Sequence, residues 1–170
     1  MRGSAAVTPL CHGCHRCDVK TKACAAGILI LDEDASGRWH LILVQDRRTG
    51  EYSEPGGRFD SSDGDIAVTA RRETLEETGI KLDAKRLMDL GVDDPGHSGY
   101  NRFYYRYECD SEDYWSTLSQ ARVDHENDEL VWVSMDELDD MLERHEKSKL
   151  FNHVSYLFLR AFRSGEHPLE

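Results

Sequence analysis

Apolar residues in this chain come in short runs separated by clusters of turn-forming residues. Ala23 to Leu31 is a nearly continuous apolar run of strand length. The turn Asp32-Glu33-Asp34-Ala35-Ser36-Gly37 then leads to a second run, Trp39 to Val44, so the pair predicts a hairpin. Gln45 to Glu54 carries the chain into the tight turn Pro55-Gly56-Gly57, and an acidic helix follows, ending near Thr78. Arg86 to Val92 and Tyr100 to Cys109 read as two strands divided by the loop Asp93 to Gly99. Leu130 to Val133 is a further strand. Ser134 and Glu137 form a capping box that starts a helix over Met135 to Arg144. In the last element, Leu150 to Arg163, one stripe holds Leu150, Val154, Leu157, Phe158, Ala161 and Phe162, which predicts a helix packed on the core. Strands and helices alternate without an internal repeat, which places the chain in the α/β class.

The acidic helix carries the chemistry. At about 100° per residue, Glu73, Glu76 and Glu77 fall within roughly 100° of one another on one face. Carboxylates that close repel one another, and a divalent cation between them removes the conflict. Hard oxygen ligands suit Mg²⁺ or Mn²⁺, whose usual partners are phosphate oxygens. Ala67, Thr74, Leu75 and Thr78 form a small-to-medium stripe that can lie against a sheet. Arg72 is one turn before Glu76 and can orient it, and Gly79 is placed to be a left-handed cap. The glycine turn lets backbone carbonyls approach a ligand closely.

The stretch Gly56 to Ile80 resembles the Nudix box, whose pattern is G-x5-E-x7-R-E-U-x-E-E-x-G-U with U a bulky aliphatic residue. Gly57, Arg72, Glu73, Glu76, Glu77, Gly79 and Ile80 match it. The interval between Gly57 and Arg72 is one residue longer than in the pattern, the internal Glu is missing, and Thr74 replaces an aliphatic residue. Asp63 or Asp65 is the acid nearest the missing Glu. Similar spacing occurs in the coenzyme A diphosphatase branch of the family, but the longer signature of that branch is not evident in Gln45 to Glu54, so the subfamily stays open. The resemblance implies an α/β/α sandwich with a mixed β-sheet. It also implies hydrolysis of a phosphoanhydride in a nucleoside diphosphate linked to another moiety, with Mg²⁺ or Mn²⁺. Glu73, Glu76 and Glu77 would be the metal-site carboxylates, the Gly57 carbonyl an added ligand, and Arg72 their orienting group.

A general base often lies outside the box in this family. The candidates here are Glu126 and Glu129, just ahead of the strand at Leu130, and Glu129 could equally bind a second metal. For substrate, strand alternation over Tyr100 to Tyr107 puts Arg102, Tyr104 and Arg106 on one face. Arginines there could hold phosphates and Tyr104 could stack on a base. Arg47 and Arg48 are further phosphate contacts to consider. His97, a lone loop histidine, is given no part in the mechanism.

Composition narrows the field. The 170 residues, 39% hydrophobic and 32% charged, suit one globular domain over residues 23–165, with tails at 1–22 and 166–170. No apolar run approaches the ~20 residues that span a bilayer. A net charge of −12 disfavours nucleic acid and anionic membranes. The expected partner is thus a small nucleotide-type molecule, and pairing into a homodimer stays open. Residues 1–22 read as a flexible tail. Within it, Cys11, Cys14 and Cys17 have a spacing that could bind zinc, but the usual paired knuckles are missing and Cys24 belongs to a strand. Cysteines read as free thiols, without a secretory apolar segment, suit an intracellular and cytoplasmic setting. The other functions that remain are a nucleotide-binding module without turnover, an mRNA-cap hydrolase and a diphosphoinositol polyphosphate phosphatase. The last two call for basic surfaces that this acidic chain does not display.

Overall fold

The structure, a computed structural model, describes residues 17–34, 36–93, 99–107 and 127–165. Its centre is β1 (Ala23–Glu33), which runs parallel to β6 (Gly99–Tyr107) on one side. Its other edge pairs antiparallel with β2 (Trp39–Asp46) at Leu31 to Glu33 and with the short β4 (Gly56–Arg58) at Ala25 to Gly27. Beyond β2 lie β3 (Tyr52–Ser53) and β7 (Asn127–Ser134), and β5 (Met88–Asp93) is antiparallel to β6 at the far edge. The sheet is therefore mixed, as expected.

β1 is apolar from Ala23 to Leu31 because helices cover both of its faces. Ala26, Ile28 and Ile30 point to one side, where they pack with Ile66 and Ala70 of α1 (Ile66–Thr78) and with Phe103 and Tyr105 of β6. Leu29 and Leu31 point to the other. There they meet Leu138 and Met141 of α2 (Met135–Ser148) and Tyr156, Phe158 and Leu159 of α3 (His153–Ser164). The result is an α/β/α sandwich. Each fully buried Ile or Leu of β1 contributes about 2–3 kcal/mol through area removed from water.

Helix boundaries follow local chemistry. Ser134 accepts from Glu137 N while Glu137 returns a bond to Ser134 N at 2.8 Å, so the predicted capping box is present. α2 runs on to Ser148, past the expected Arg144, and ends at Lys149 in a left-handed conformation. α3 starts later than expected, because the Asn152 side chain accepts from Val154 N at 3.0 Å and fixes the first turn there. That start rotates the buried stripe to Ser155, Tyr156, Phe158 and Leu159, and Leu157, expected inside, is exposed. Arg86, expected to open a strand, instead ends a short 3-10 turn over Ala84–Arg86 that is capped by Asp83.

Two expectations for the N-terminal segment are corrected. Residues 17–22, read as part of a tail, form a turn against the start of α1: the buried Asp18 accepts from Lys20 N, Thr21 N and Ile66 N at 2.7, 3.1 and 2.8 Å. Cys17 is disulfide-bonded to Cys24, so neither is a free thiol or a zinc ligand here. Cys11 and Cys14 lie outside the described residues. Among the described residues no helix is long and apolar enough to cross a membrane.

Candidate active site

The glycine turn is clamped to the sheet. The Pro55 carbonyl accepts from Ile28 N at 3.0 Å, and Gly56 and Gly57 pair with Gly27 and Ala26. A side chain at Gly57 would displace the Glu73 carboxylate, because a Cβ there would lie 2.5 Å from Glu73 Oε2 and 2.7 Å from Oε1. The turn thus brings bare backbone against the first carboxylate of the helix. It also reaches the third, since Gly56 N donates to Glu77 Oε2 at 2.9 Å.

α1 is set by its ends and its small residues. Asp65 caps it by accepting from Ala67 N at 2.7 Å, and Gly79 closes it at φ +74°. Ala70, Thr74 and Thr78, one turn apart, let the helix sit close to the sheet. Leu75, expected on that stripe, is 46% exposed, and Glu77 is drawn to the buried side at 6% exposure. Gly56 N–H satisfies that buried carboxylate. Glu76 projects outward, its side chain 52% exposed.

Arg72 ties the acids together. Its Nε and Nη2 donate in parallel to Asp63 Oδ1 and Oδ2 at 2.8 and 3.0 Å. Nη1 donates to Glu73 Oε1 at 2.8 Å and to Glu76 Oε2 at 3.2 Å, and Nη2 also reaches the Arg58 carbonyl at 3.1 Å. The bond to Asp63 is the main cause that raises the Arg72 pKa, and reciprocally it lowers that of Asp63 against the opposing effect of burial. The two acids are placed differently: Asp63 joins the Arg72 cluster, and Asp65 is a helix cap.

The donor chemistry fits a divalent cation. Three carboxylates share one helix face, and the turn beside them is stripped of side chains at Gly57. Among the described residues, however, no three His, Cys, Asp or Glu side chains converge into a closed metal cluster. Arg72 instead engages Glu73 and Glu76 from one side.

Arg102 is a correction: it is 1% exposed and all three of its guanidinium nitrogens are bonded, to Glu54 and Asp93, so it cannot hold a solvent-borne phosphate. Tyr104 is partly buried against the cluster that contains Leu29 and Phe158, on the face of the sheet opposite α1. Arg106 lies over the Trp39 ring at 4.8 Å and pairs with Glu33 at 3.4 Å, also away from α1. Arg102, Tyr104 and Arg106 share one face of β6, where Phe158 of α3 covers Arg102 while Arg106 stays exposed. Arg47 is exposed in the turn after β2. Glu129 is exposed and accepts from the Tyr52 hydroxyl at 3.3 Å. Glu126 and His97 lie outside the described residues. Reading the sequence missed Glu54 and Tyr100, which pack beneath the glycine turn. The one local sign was an acid directly ahead of Pro-Gly-Gly.

Known proteins share this fold. A profile of the NUDIX domain matches residues 21–154. Nudix hydrolase 14, chloroplastic, of Arabidopsis thaliana is 36% identical over 92 residues, covering 52% of this chain and 29% of that protein. Nucleoside diphosphate-linked moiety X motif 6 of Xenopus laevis is 39% identical over 79 residues, covering 44% of this chain and 35% of that protein. The chain therefore spans about a third of the length of these curated relatives. The crystal structure of a NUDIX hydrolase from Alicyclobacillus acidocaldarius superposes with a TM-score of 0.59 at 20% identity, over 85% of this chain and 92% of that one, which bears on the fold. With the matched profile covering most of the chain and the box residues placed as described, the chain belongs to the NUDIX domain family.

Proposed function

We propose that this protein hydrolyses a phosphoanhydride bond in a nucleoside diphosphate joined to another group, with Mg²⁺ or Mn²⁺ as the required cation. The observation that carries this is the Arg72 cluster: one guanidinium holds Asp63, Glu73 and Glu76 while the glycine turn holds Glu77. So much organisation of like charges on one helix face serves cation binding better than stability, since exposed ion pairs contribute little. The names of both curated relatives point to the same class of chemistry.

Cleaving such a bond requires stabilising charge on the transferring oxygens and aiming a water in line. A bound cation supplies neutralisation of the diphosphate and polarisation of the bond under attack. Glu73, Glu76 and Glu77, with the Gly57 carbonyl, would hold it. Arg72 orients two of those carboxylates and does not touch substrate. Gly56 N–H fixes one oxygen of Glu77 and so sets the orientation of its carboxylate. For the general base, Glu126 and Glu129 both stay as candidates, and substituting each alone separates them. A basic channel for RNA or a dense cationic pocket for inositol phosphates finds no support in a chain of net charge −12.

Product analysis tests the reading. A panel of nucleoside triphosphates, ADP-ribose, NADH, coenzyme A, dinucleoside polyphosphates, a diphosphoinositol and capped RNA would be incubated with and without Mg²⁺. Metal-dependent cleavage of a nucleoside diphosphate derivative is the expected result. Silence across the panel, from folded protein that still binds a nucleotide, would replace hydrolysis with a binding role.

A further inference from the structure

Glu54 lies directly ahead of the glycine turn and is 2% exposed. A lone charge there would be prohibitively costly, so it must be paired. Arg102 of β6 provides the pairing: Nε and Nη2 both donate to Glu54 Oε1, at 3.0 and 2.9 Å, while Nη1 donates to Asp93 Oδ2 at 2.6 Å. The guanidinium is also held over the Phe158 ring at 4.0 Å and the Tyr100 ring at 5.0 Å. Burial alone would push the Glu54 carboxyl up, but the charge of Arg102 and neighbouring hydrogen bonds outweigh it and hold the group below its usual value.

Tyr100 is where this buried cluster meets the acids of α1. A Cβ on Gly56 would stand 2.6 Å from the Tyr100 hydroxyl and 2.5 Å from the Ala26 carbonyl, and a Cβ on Gly27 would run into the same hydroxyl. Both glycines are thus bare where the phenol enters. Glu77 Oε2 in turn takes the Gly56 N–H at 2.9 Å. Arg102 thus holds Glu54 immediately ahead of the turn, the Tyr100 hydroxyl sits against Gly27 of β1 and Gly56 of the turn, and Gly56 N–H holds Glu77. Well-packed apolar residues could stabilise the fold as well as a buried ion pair does, but they would not set the position of a polar turn.

We propose that Glu54, Arg102 and Tyr100 are positioning residues for the hydrolytic site, fixing the 54–57 turn so that Gly56 N–H sets the orientation of the Glu77 carboxylate. This rests on the reading of Glu77 as a metal-site carboxylate. Tyr100→Phe removes one hydroxyl and keeps the ring. Glu54→Gln keeps the shape and removes the charge that Arg102 pairs with.

The test measures melting temperature, kcat and KM on the substrate found by the panel, and Mn²⁺ affinity by the electron paramagnetic resonance signal of free Mn²⁺. Both variants should lower kcat by about tenfold or more and weaken Mn²⁺ binding by about tenfold, with KM changed less than about twofold. A purely structural role would move the melting temperature alone. Wild-type kcat and Mn²⁺ affinity in Tyr100→Phe overturn the proposal, and Tyr100→Phe decides the matter if Glu54→Gln does not fold. Glu77→Gln is run beside them. If it is impaired while Tyr100→Phe is not, the positioning role alone fails. If Glu77→Gln retains wild-type Mn²⁺ affinity and kcat, the metal-site reading fails and takes the proposal with it.

Discussion

Replacing Arg72 with lysine keeps the positive charge and removes the fork. In the native protein the fork makes two parallel bonds to Asp63, whose side chain is only 4% exposed, while that of Arg72 is 31% exposed. Hydrogen bonds to charged groups contribute about 1.5–3 kcal/mol each. Asp63 would keep the Thr69 hydroxyl at 2.7 Å and Asp60 N at 3.2 Å, and a lysine can still offer one donor. The net loss therefore settles near ~2 kcal/mol, with partial screening at the exposed edge. For a domain of this size that lowers the melting temperature by about 4–8 °C. The effect also has a pH signature. The Asp63 pKa is depressed in the folded state, chiefly by the bond to Arg72, so its contribution is present above the unfolded value and is lost as pH falls through the folded one. The gap between wild type and variant should be full at neutral pH and should shrink below about pH 4. Thermal unfolding followed by circular dichroism at several pH values reads both quantities. Adding Asp63→Asn completes a double-mutant cycle, in which the two changes should be clearly non-additive. A melting temperature within about 1 °C of wild type, or additive single effects, would refute the pairing as described.

Other consequences are sharper in direction than in size. Gly57→Ala drives a methyl group into the Glu73 carboxylate, so Mn²⁺ affinity measured by titration should fall by about tenfold or more, and unchanged affinity would contradict the packing. Ile28→Ala, at a fully buried position, should cost about 2–5 kcal/mol in chemical denaturation, whereas Leu75→Ser on the exposed face of α1 should stay within about 0.5 kcal/mol. Equal costs would mean that α1 is rotated from the orientation described. Asp18→Ala removes the acceptor of three backbone N–H groups and should cost about 1–2 kcal/mol, and no loss would mean that the 17–22 turn does not brace α1.

What the sequence disclosed was local. Glu73, Glu76, Glu77, Arg72 and Gly79 lie within two turns of one helix, so their spacing alone placed them together. The capping box at Ser134 and the hairpin of β1 and β2 were legible for the same reason. What it hid was set by distant partners. Glu77 is buried because a backbone N–H arrives from Gly56, 21 positions earlier, and helix periodicity carries no sign of that bond. Leu75 looked like a core residue by type, but Thr74 and Thr78 occupy the side that faces the sheet. Arg102 looked like a phosphate ligand because alternation predicts a face and cannot say what covers it. Here α3 supplies Phe158, and the chain ahead of the glycine turn supplies Glu54. The different placing of Asp63 and Asp65 likewise depends on which acid Arg72 reaches across the loop.

The central claim is that the acids on one face of α1 make a cation-dependent hydrolytic site. Its most direct test is the turnover of Glu76→Gln and Glu77→Gln beside wild type at saturating Mg²⁺, on the substrate that the panel identifies, with melting curves for all three. A glutamine at either position keeps the size and one carbonyl acceptor, including that for Gly56 N–H, so the fold should melt as wild type does. The account predicts a fall in kcat of roughly a hundredfold or more for both. Near-wild-type turnover in both folded variants would contradict it.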